Sequence, residues 1–425
     1  MQFLSLLLVN LLIKEGMFRN VYKGGNFMLE INLNMYHAVA LAAVLYWLGS
    51  VLCNKVAFFN RYCIPAPLVG GVCFAAINTI LYASNVAFIS FDDTLQTVFM
   101  NIFFTTVGFT VSLPQLKKGG KAVVLCLILA IIVTFAQNLL GVGIVGALGA
   151  DPRLGLCAGS IALIGGPGTA AAYGQVMDDM GIVGASVAGL ACATFGLVSG
   201  SIMGGPTASR RIKKHNLVCS SRTDASGNAE GGEDESFTSN SPRFVKGFML
   251  LMLALGIGSF VGAVLTDVTG ITFPSYIGAM LVAAVVRNIV DATNNEFPGE
   301  EIEVVGNMSL SLFLAMALAG LQLWLLVDLA VPLIAALTAQ VILMLIFAYF
   351  VVFNVMGKDY DAAVMSAGFI GFAMGATSNA MANMQAVTKQ HGPSPVAYFA
   401  IPMVGSLFID FVNALVITGM LDFLS

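Results

Sequence analysis

From Tyr36 to Leu424 the chain is a succession of apolar stretches, most close to 20 residues or longer, separated by short polar breaks. A membrane-spanning helix needs about 20 such residues, and in hydrocarbon the backbone has to satisfy its own hydrogen bonds. The chain is 58% hydrophobic and only 10% charged, against roughly 45–50% and about 25% in soluble domains. These runs therefore predict an all-α polytopic membrane protein. The apolar blocks fall at 36–59, 64–83, 94–113, 122–150 and 182–203, and again at 244–268, 271–290, 304–327, 331–355 and 397–424.

Two apolar stretches resist a continuous helix. The first, 160–174, carries Gly165, Gly166, Pro167 and Gly168 in a row. Proline lacks a backbone donor, and each glycine costs a helix interior about 1 kcal/mol. The second, 368–384, carries Gly371, Gly375, Ala376, Thr377, Ser378 and Asn379. Broken backbone at membrane depth is tolerated only when buried in protein or lining a polar cavity. Each break is expected to form a re-entrant hairpin, near 156–177 and near 363–385, just before the last span of its half.

The two halves share an order and a spacing. Pro65 and Pro274, Ala158 and Ala367, Gly159 and Gly368, Gly166 and Gly375, and Gly196 and Gly405 are each 209 residues apart. Each half carries five spans, so the second enters the membrane the opposite way round. With that count, Lys55, Arg61, Lys117, Lys118, Lys121, the basic residues of 210–222, Arg243, Lys246, Arg287, Lys358 and Lys389 fall on one side; only Arg153 of the core falls on the other. Basic loops mark the cytoplasmic side. The expected organisation is an N-terminal extension over 1–35, with Met28 as an alternative start, and a first repeat over 36–209. A polar cytoplasmic linker over 210–243 and a second repeat over 244–425 follow, with the C-terminus outside, in the cell's inner (plasma) membrane. Inverted repeats with broken helices are a mark of secondary transporters, with the site near mid-membrane.

Catalytic chemistry has little to work with. The seven cysteines are scattered and form no CxxC pair, and His37, His215 and His391 are dispersed, the last two reading as loop residues. No phosphate-binding, nucleophile-elbow or metalloprotease motif is present. The expectation is a protein that is not an enzyme and holds no cofactor or metal beyond a coupling ion. Asp178–Asp179 and Glu300–Glu301 read as solvated charges at span ends.

Longer strings resemble the sodium/glutamate symporter family. They are Ser160-Ile-Ala-Leu-Ile-Gly-Gly-Pro-Gly-Thr169, Ala191-Cys-Ala-Thr-Phe-Gly-Leu-Val198, Gly306-Asn-Met-Ser-Leu-Ser-Leu-Phe-Leu-Ala-Met-Ala-Leu318, Gly357-Lys-Asp-Tyr-Asp-Ala-Ala-Val364, Gly375-Ala-Thr377, Ala382-Asn-Met-Gln-Ala386 and Phe408-Ile-Asp-Phe-Val-Asn-Ala-Leu-Val416. The resemblance covers nearly all of the chain after Met28. It implies sodium-coupled uptake of glutamate, two oppositely oriented five-span domains with re-entrant loops, an elevator-like movement and a homodimer. Two departures fall at the loop tips. The family pattern Gly-Gly-His-Gly-Thr-Gly has Pro167 and Ala170 here, and Gly-Ala-Thr-Pro-Thr-Ala has Ser378 and Asn379. The implied substrate is thus glutamate or a related small carboxylate.

An anionic substrate needs positive potential, yet no Lys or Arg lies between 154 and 209 or between 359 and 388. The remaining source is main-chain N–H at broken-helix ends, where the dipole places about half a positive charge. The substrate-binding candidates are Gly165, Gly166, Gly168 and Thr169 in one tip and Gly375, Ala376, Thr377, Ser378 and Asn379 in the other. Small residues of this kind also serve plain helix packing in membranes. Asp410 is the carboxylate well inside a predicted span, and Asn413 shares its helix face at i, i+3. Intramembrane carboxylates cost about 2.5–3.5 kcal/mol and mark function by default. Asp410 and Asn413, with Asn383 and Gln137 behind them, are the sodium or coupling candidates. Asn383 and Gln137–Asn138 also fit a role as interhelical hydrogen-bonding glue. Competing readings are a proton-coupled carboxylate transporter, with Asp410 titrating, and an anion channel or exporter.

Overall fold

The computed structural model describes residues 18–23, 26–62, 64–114, 120–219, 241–269, 273–293 and 296–425. Most of the expected linker lies outside the described residues. The elements run β1 (Phe18–Lys23), β2 (Asn26–Leu33), α1 (Met35–Lys55), α2 (Ala66–Ala83), β3 (Ala87–Phe91), α3 (Thr94–Thr110), α4 (Gly120–Ala147), α5 (Leu154–Cys157), α6 (Ser160–Leu163), α7 (Gly166–Asp179) and α8 (Ala185–His215). After the linker come α9 (Ser241–Thr269), α10 (Ser275–Ala292), α11 (Gly299–Ala319), α12 (Leu326–Ile346), α13 (Tyr360–Ala373), α14 (Thr377–His391), α15 (Pro395–Pro402) and α16 (Ile409–Phe423). Among the described residues nine helices are long and apolar enough to cross a membrane. The block expected at 94–113 forms α3, which is 17 residues long.

The chain divides into two compact units. The first holds residues up to Met100 together with Met308–Asp328. Its core is Ala38, Ala42 and Leu45 of α1 against Ala315, Met316 and Ala319 of α11. A three-stranded sheet, unforeseen from the sequence, pairs β1 antiparallel to β2 and β2 parallel to β3, with Leu29 opposite Ala87. Asn78 of α2 braces it: its amide donates to the Ile89 carbonyl at 3.0 Å and accepts the Ile89 N–H at 2.9 Å. Buried polar side chains need such pairing, because an unmet amide costs about 1–3 kcal/mol.

The second unit holds Asn101–Asn307 and Leu329–Ser425. One of its apolar cores joins α3, α9, α10 and α11 through Ile102, Phe109, Leu251, Ala254, Ala283, Ile302 and Val305. Two expected loop charges are structural here. Asp178 accepts the N–H groups of Ala185 and Ser186 at 2.9 and 3.1 Å, capping α8. Glu301 is buried and pairs with Arg243 at 3.0 Å. His215 is likewise not a loop residue: α8 continues through the basic run and ends on it.

The 209-residue spacing recurs in the elements. Pro65 and Pro274 stand at the N-caps of α2 and α10, each 18 residues long. In the first unit Gly49 of α1 meets α2 so closely that a Cβ there would strike the Ala66 carbonyl. In the second unit Gly258 of α9 does the same against Ala279 of α10. Both glycines let one backbone approach another with no side chain between, as small residues do in membrane helix pairs.

Candidate functional site

The first interruption has two breaks. After α5 the chain turns at Ala158 and Gly159, runs through the single turn of α6, and breaks again at Ile164–Gly165. Gly166 then opens α7 at φ +63°, in the left-handed region that L side chains rarely adopt. Pro167 follows in the first turn, where its missing N–H costs nothing because the first helical donors have no intrahelical partner. The second interruption is tighter. Asp359 caps α13, accepting the Ala362 N–H at 2.8 Å, and the helix runs unbroken to Ala373. Met374 and Gly375 leave the helix, Ala376 is extended, and α14 starts at Thr377. Gly368 and Gly371, expected within the broken stretch, stay helical. They make room for Met384 and Ala380 as α14 folds back on α13.

These interruptions meet. A Cβ placed on Gly166 would lie 2.7 Å from the Gly375 carbonyl oxygen. The two backbones are thus in contact at the start of α7 and just ahead of the start of α14. Neither N-terminus has a side-chain cap. Two positive dipole ends with unspent donors therefore converge where neither chain segment carries a basic side chain. Gly166, Gly168 and Thr169 are buried, Gly165, Ala376 and Thr377 half-buried, and Ser378 exposed. Of these tip residues the exposed one, Ser378, lies at the start of α14. The Thr377 hydroxyl sits 3.4 Å from the Gly405 carbonyl.

Helix α4 holds both interruptions with adjacent side chains. Asn138 Oδ1 accepts the Ser160 N–H at 2.8 Å, capping α6. Gln137 Nε2 donates to the Ala373 carbonyl at 2.8 Å, meeting an acceptor that the end of α13 leaves open. Gln340 of α12 extends the chain, donating to the Gln137 carbonyl at 2.7 Å. Asn413 of α16 donates to the Ser160 carbonyl at 3.2 Å, and Asn379 to the Leu197 carbonyl of α8 at 2.9 Å. Each of these donating amides has its nitrogen against a backbone carbonyl, so its oxygen must point the other way; flipping it would set two oxygens face to face. The oxygens so displayed, Gln137 Oε1, Gln340 Oε1, Asn379 Oδ1 and Asn413 Oδ1, together with Ser160 Oγ, are buried with no hydrogen-bond partner among the described residues. Hard oxygen donors of this kind suit a hard cation.

Among the coupling candidates, Asn413 and Gln137 thus sit at the interruptions. Asn383 lies two turns into α14 and spends its amide on Gly200 of α8, at 2.9 Å, and Ala367 of α13, at 3.3 Å. Asp410 is half-buried in the first turn of α16, directly after the π turn Met403–Phe408. Ser160, Gln340 and Tyr173 were not singled out from the sequence. Tyr173 ties α7 to α16, donating to the Ala414 carbonyl at 2.6 Å, with Thr418 Oγ1 at 2.8 Å. The available signal for Gln340 was one amide in the middle of a long apolar run; Ser160 and Tyr173 gave none. No group of three His, Cys, Asp or Glu stands together among the described residues.

Comparison with known proteins places this architecture. The family model described as sodium/glutamate symporter matches residues 31–393. The sodium/glutamate symporter of Escherichia coli (strain K12) is 39% identical over 392 residues, covering 90% of this chain and 97% of its own. The sodium/glutamate symporter of Shigella flexneri matches equally, and that of Haemophilus influenzae is 36% identical over 393 residues, covering 91% and 96%. On that breadth of match, and with spanning helices throughout, this multi-pass membrane protein belongs to the sodium/glutamate symporter family.

Proposed function

We propose that the chain is a secondary active transporter that couples uptake of glutamate, or a close small carboxylate, to sodium by alternating access. The observation that carries this reading is the meeting of two uncapped helix N-termini at Gly166 and Gly375. A carboxylate held there takes its hydrogen bonds from main-chain N–H groups of Gly166, Gly168, Thr377 and Ser378, strengthened by two helix dipoles, with Thr169 and Asn379 beside them in the first turns, their own N–H groups already donating to Gly165 and Ala376. Gly165, Gly375 and Ala376 supply the close backbone approach. Sodium is the second cargo. Asn413 Oδ1, Ser160 Oγ and the Asp410 carboxylate are its ligands, with Gln137 and Asn383 holding the surrounding helices.

In this reading each interruption is a re-entrant hairpin, one entering from each side of the inner (plasma) membrane, within inverted five-span repeats over 36–209 and 244–425. The shared 209-residue spacing of Pro65 and Pro274 supports the repeat. The basic run at 210–214 supports a cytoplasmic linker, with the C-terminus outside. Movement of the two-tip domain past a fixed scaffold, elevator-fashion within a homodimer, exposes the pocket to each side in turn.

Uptake of radiolabelled glutamate into proteoliposomes tests the proposal. An inward sodium gradient is expected to drive accumulation without ATP, and replacing sodium by potassium to abolish it. Accumulation driven equally well by a proton gradient in sodium-free buffer would overturn sodium coupling. Unsaturable flux without accumulation would overturn active transport.

A further inference from the structure

A groove of about 570 Å³ opens on the second unit between the C-terminal third of α8 and the end of α12. Its lining is almost wholly apolar, including Ile202, Met203, Pro206, Ile346 and Phe350, and Arg210 belongs to it as well. Ile202, Ile346 and Phe350 are each more than half exposed, so the groove faces outward rather than into the core.

The next residue, Arg211, explains why the groove has this shape. Its side chain is buried and crosses to the π turn Phe347–Val352 that continues α12. There Nε donates to the Tyr349 carbonyl at 3.0 Å, and the guanidinium lies 3.7 Å over the Tyr349 ring and 4.5 Å from the Phe353 ring. A π turn disturbs the α-helical ladder, and Arg211 supplies a partner for a carbonyl in that turn. The lock fixes Tyr349, which lines the groove. Arg210, Lys213 and Lys214 project around this end of α8, all exposed. None of these four cations has a carboxylate partner among the described residues.

We infer that this groove is a binding site for a phospholipid with an anionic headgroup, its acyl chain along Met203, Pro206 and Ile346 and its phosphate against Arg210. The volume lies in the range of small-molecule pockets, so the groove admits one acyl chain and leaves the rest of the lipid in the bilayer. Basic pockets between spanning helices at the cytoplasmic face favour anionic headgroups, each Lys or Arg near the surface adding about 1 kcal/mol. The acidic run Glu230–Glu235 of the linker matches the charge, but it is polar throughout and cannot fill an apolar groove. The site is separate from the two interruptions; the inference rests on the proposed cytoplasmic side of the linker and not on the transport reading.

Purified protein in neutral detergent, titrated with phosphatidylglycerol, phosphatidylcholine or glycerol phosphate, tests it, with lipid retention read by native mass spectrometry and unfolding by thermal shift. Phosphatidylglycerol is expected to be retained and to raise the midpoint; the other two are expected to do neither. Arg210→Gln is expected to weaken retention about fivefold, the worth of one surface charge, while Arg210→Lys keeps it. Met203→Trp, which fills the groove, is expected to abolish it. Arg210 is exposed, so its variants are expected to unfold at the parent temperature without lipid. Equal retention of phosphatidylcholine, or retention unchanged in both Arg210→Gln and Met203→Trp, overturns the proposal. Stabilisation by glycerol phosphate equal to that by phosphatidylglycerol overturns it in favour of a soluble anion.

Discussion

Replacing Gly166 by alanine probes the contact on which the site is built. Two costs arise at once. The residue sits at φ +63°, where an L side chain costs about 1–2 kcal/mol. The new Cβ would also stand 2.7 Å from the Gly375 carbonyl oxygen, short of the 3.4 Å at which ordinary contact begins. That neighbour is backbone, so relief comes only by moving one tip away from the other. A strain of about 1–2 kcal/mol expressed in binding corresponds to a five- to thirtyfold loss of affinity. The assay is sodium-driven glutamate uptake in proteoliposomes, with KM and maximal rate determined separately. Gly166→Ala is expected to raise KM for glutamate by about that factor. Gly205→Ala, where a Cβ meets only the Ala386 methyl at 3.9 Å, is expected to leave uptake unchanged. An unaltered KM in Gly166→Ala would refute the reasoning, because the pocket would not then depend on the two tips touching.

Other perturbations separate the parts of the account. Asp410→Asn is expected to raise the sodium concentration for half-maximal uptake on the order of tenfold, a loss of about 1.4 kcal/mol; unchanged sodium activation removes Asp410 from the coupling site. Asn138→Ala leaves the buried Ser160 N–H without an acceptor, and a destabilisation of about 1–3 kcal/mol is expected in denaturant or thermal unfolding. Hydrogen bonds from Arg153 hold the Asp151 carboxyl below the usual carboxylate range. A depressed folded-state pKa gives stability that is present above the ordinary value near 3.9 and is lost as pH falls through the folded value. The pair is part-exposed, so Asp151→Asn is expected to cost no more than about 1 kcal/mol at pH 7, and less as pH falls from the ordinary carboxylate value through the depressed folded one, read as the thermal midpoint against pH.

The spanning helices were legible because their apolar runs leave few alternatives in hydrocarbon. The breaks were legible because Gly165-Gly166-Pro167-Gly168 and Gly375-Ala376 cannot pass for helix interior. Their edges were less so. Gly368 and Gly371 lie within α13, because a glycine that admits Ala380 or Met384 looks the same in sequence as one that ends a helix. Within the sheet, the pairing of β2 with β3 joins strands more than 50 residues apart, and no local period announces it. Ser160 and Asn138 find each other through a 22-residue separation, and Gln137 reaches Ala373 over 236. Only tertiary placement reveals which polar residue in an apolar helix caps a break and which, like Asn383, braces its neighbours.

The most direct test is a structure of the protein with sodium and glutamate bound. The account predicts a substrate carboxylate about 3 Å from main-chain nitrogens at the starts of both α7 and α14, with no Lys or Arg side chain in contact. A bound glutamate held by basic side chains, or lying away from Gly166 and Gly375, would contradict it.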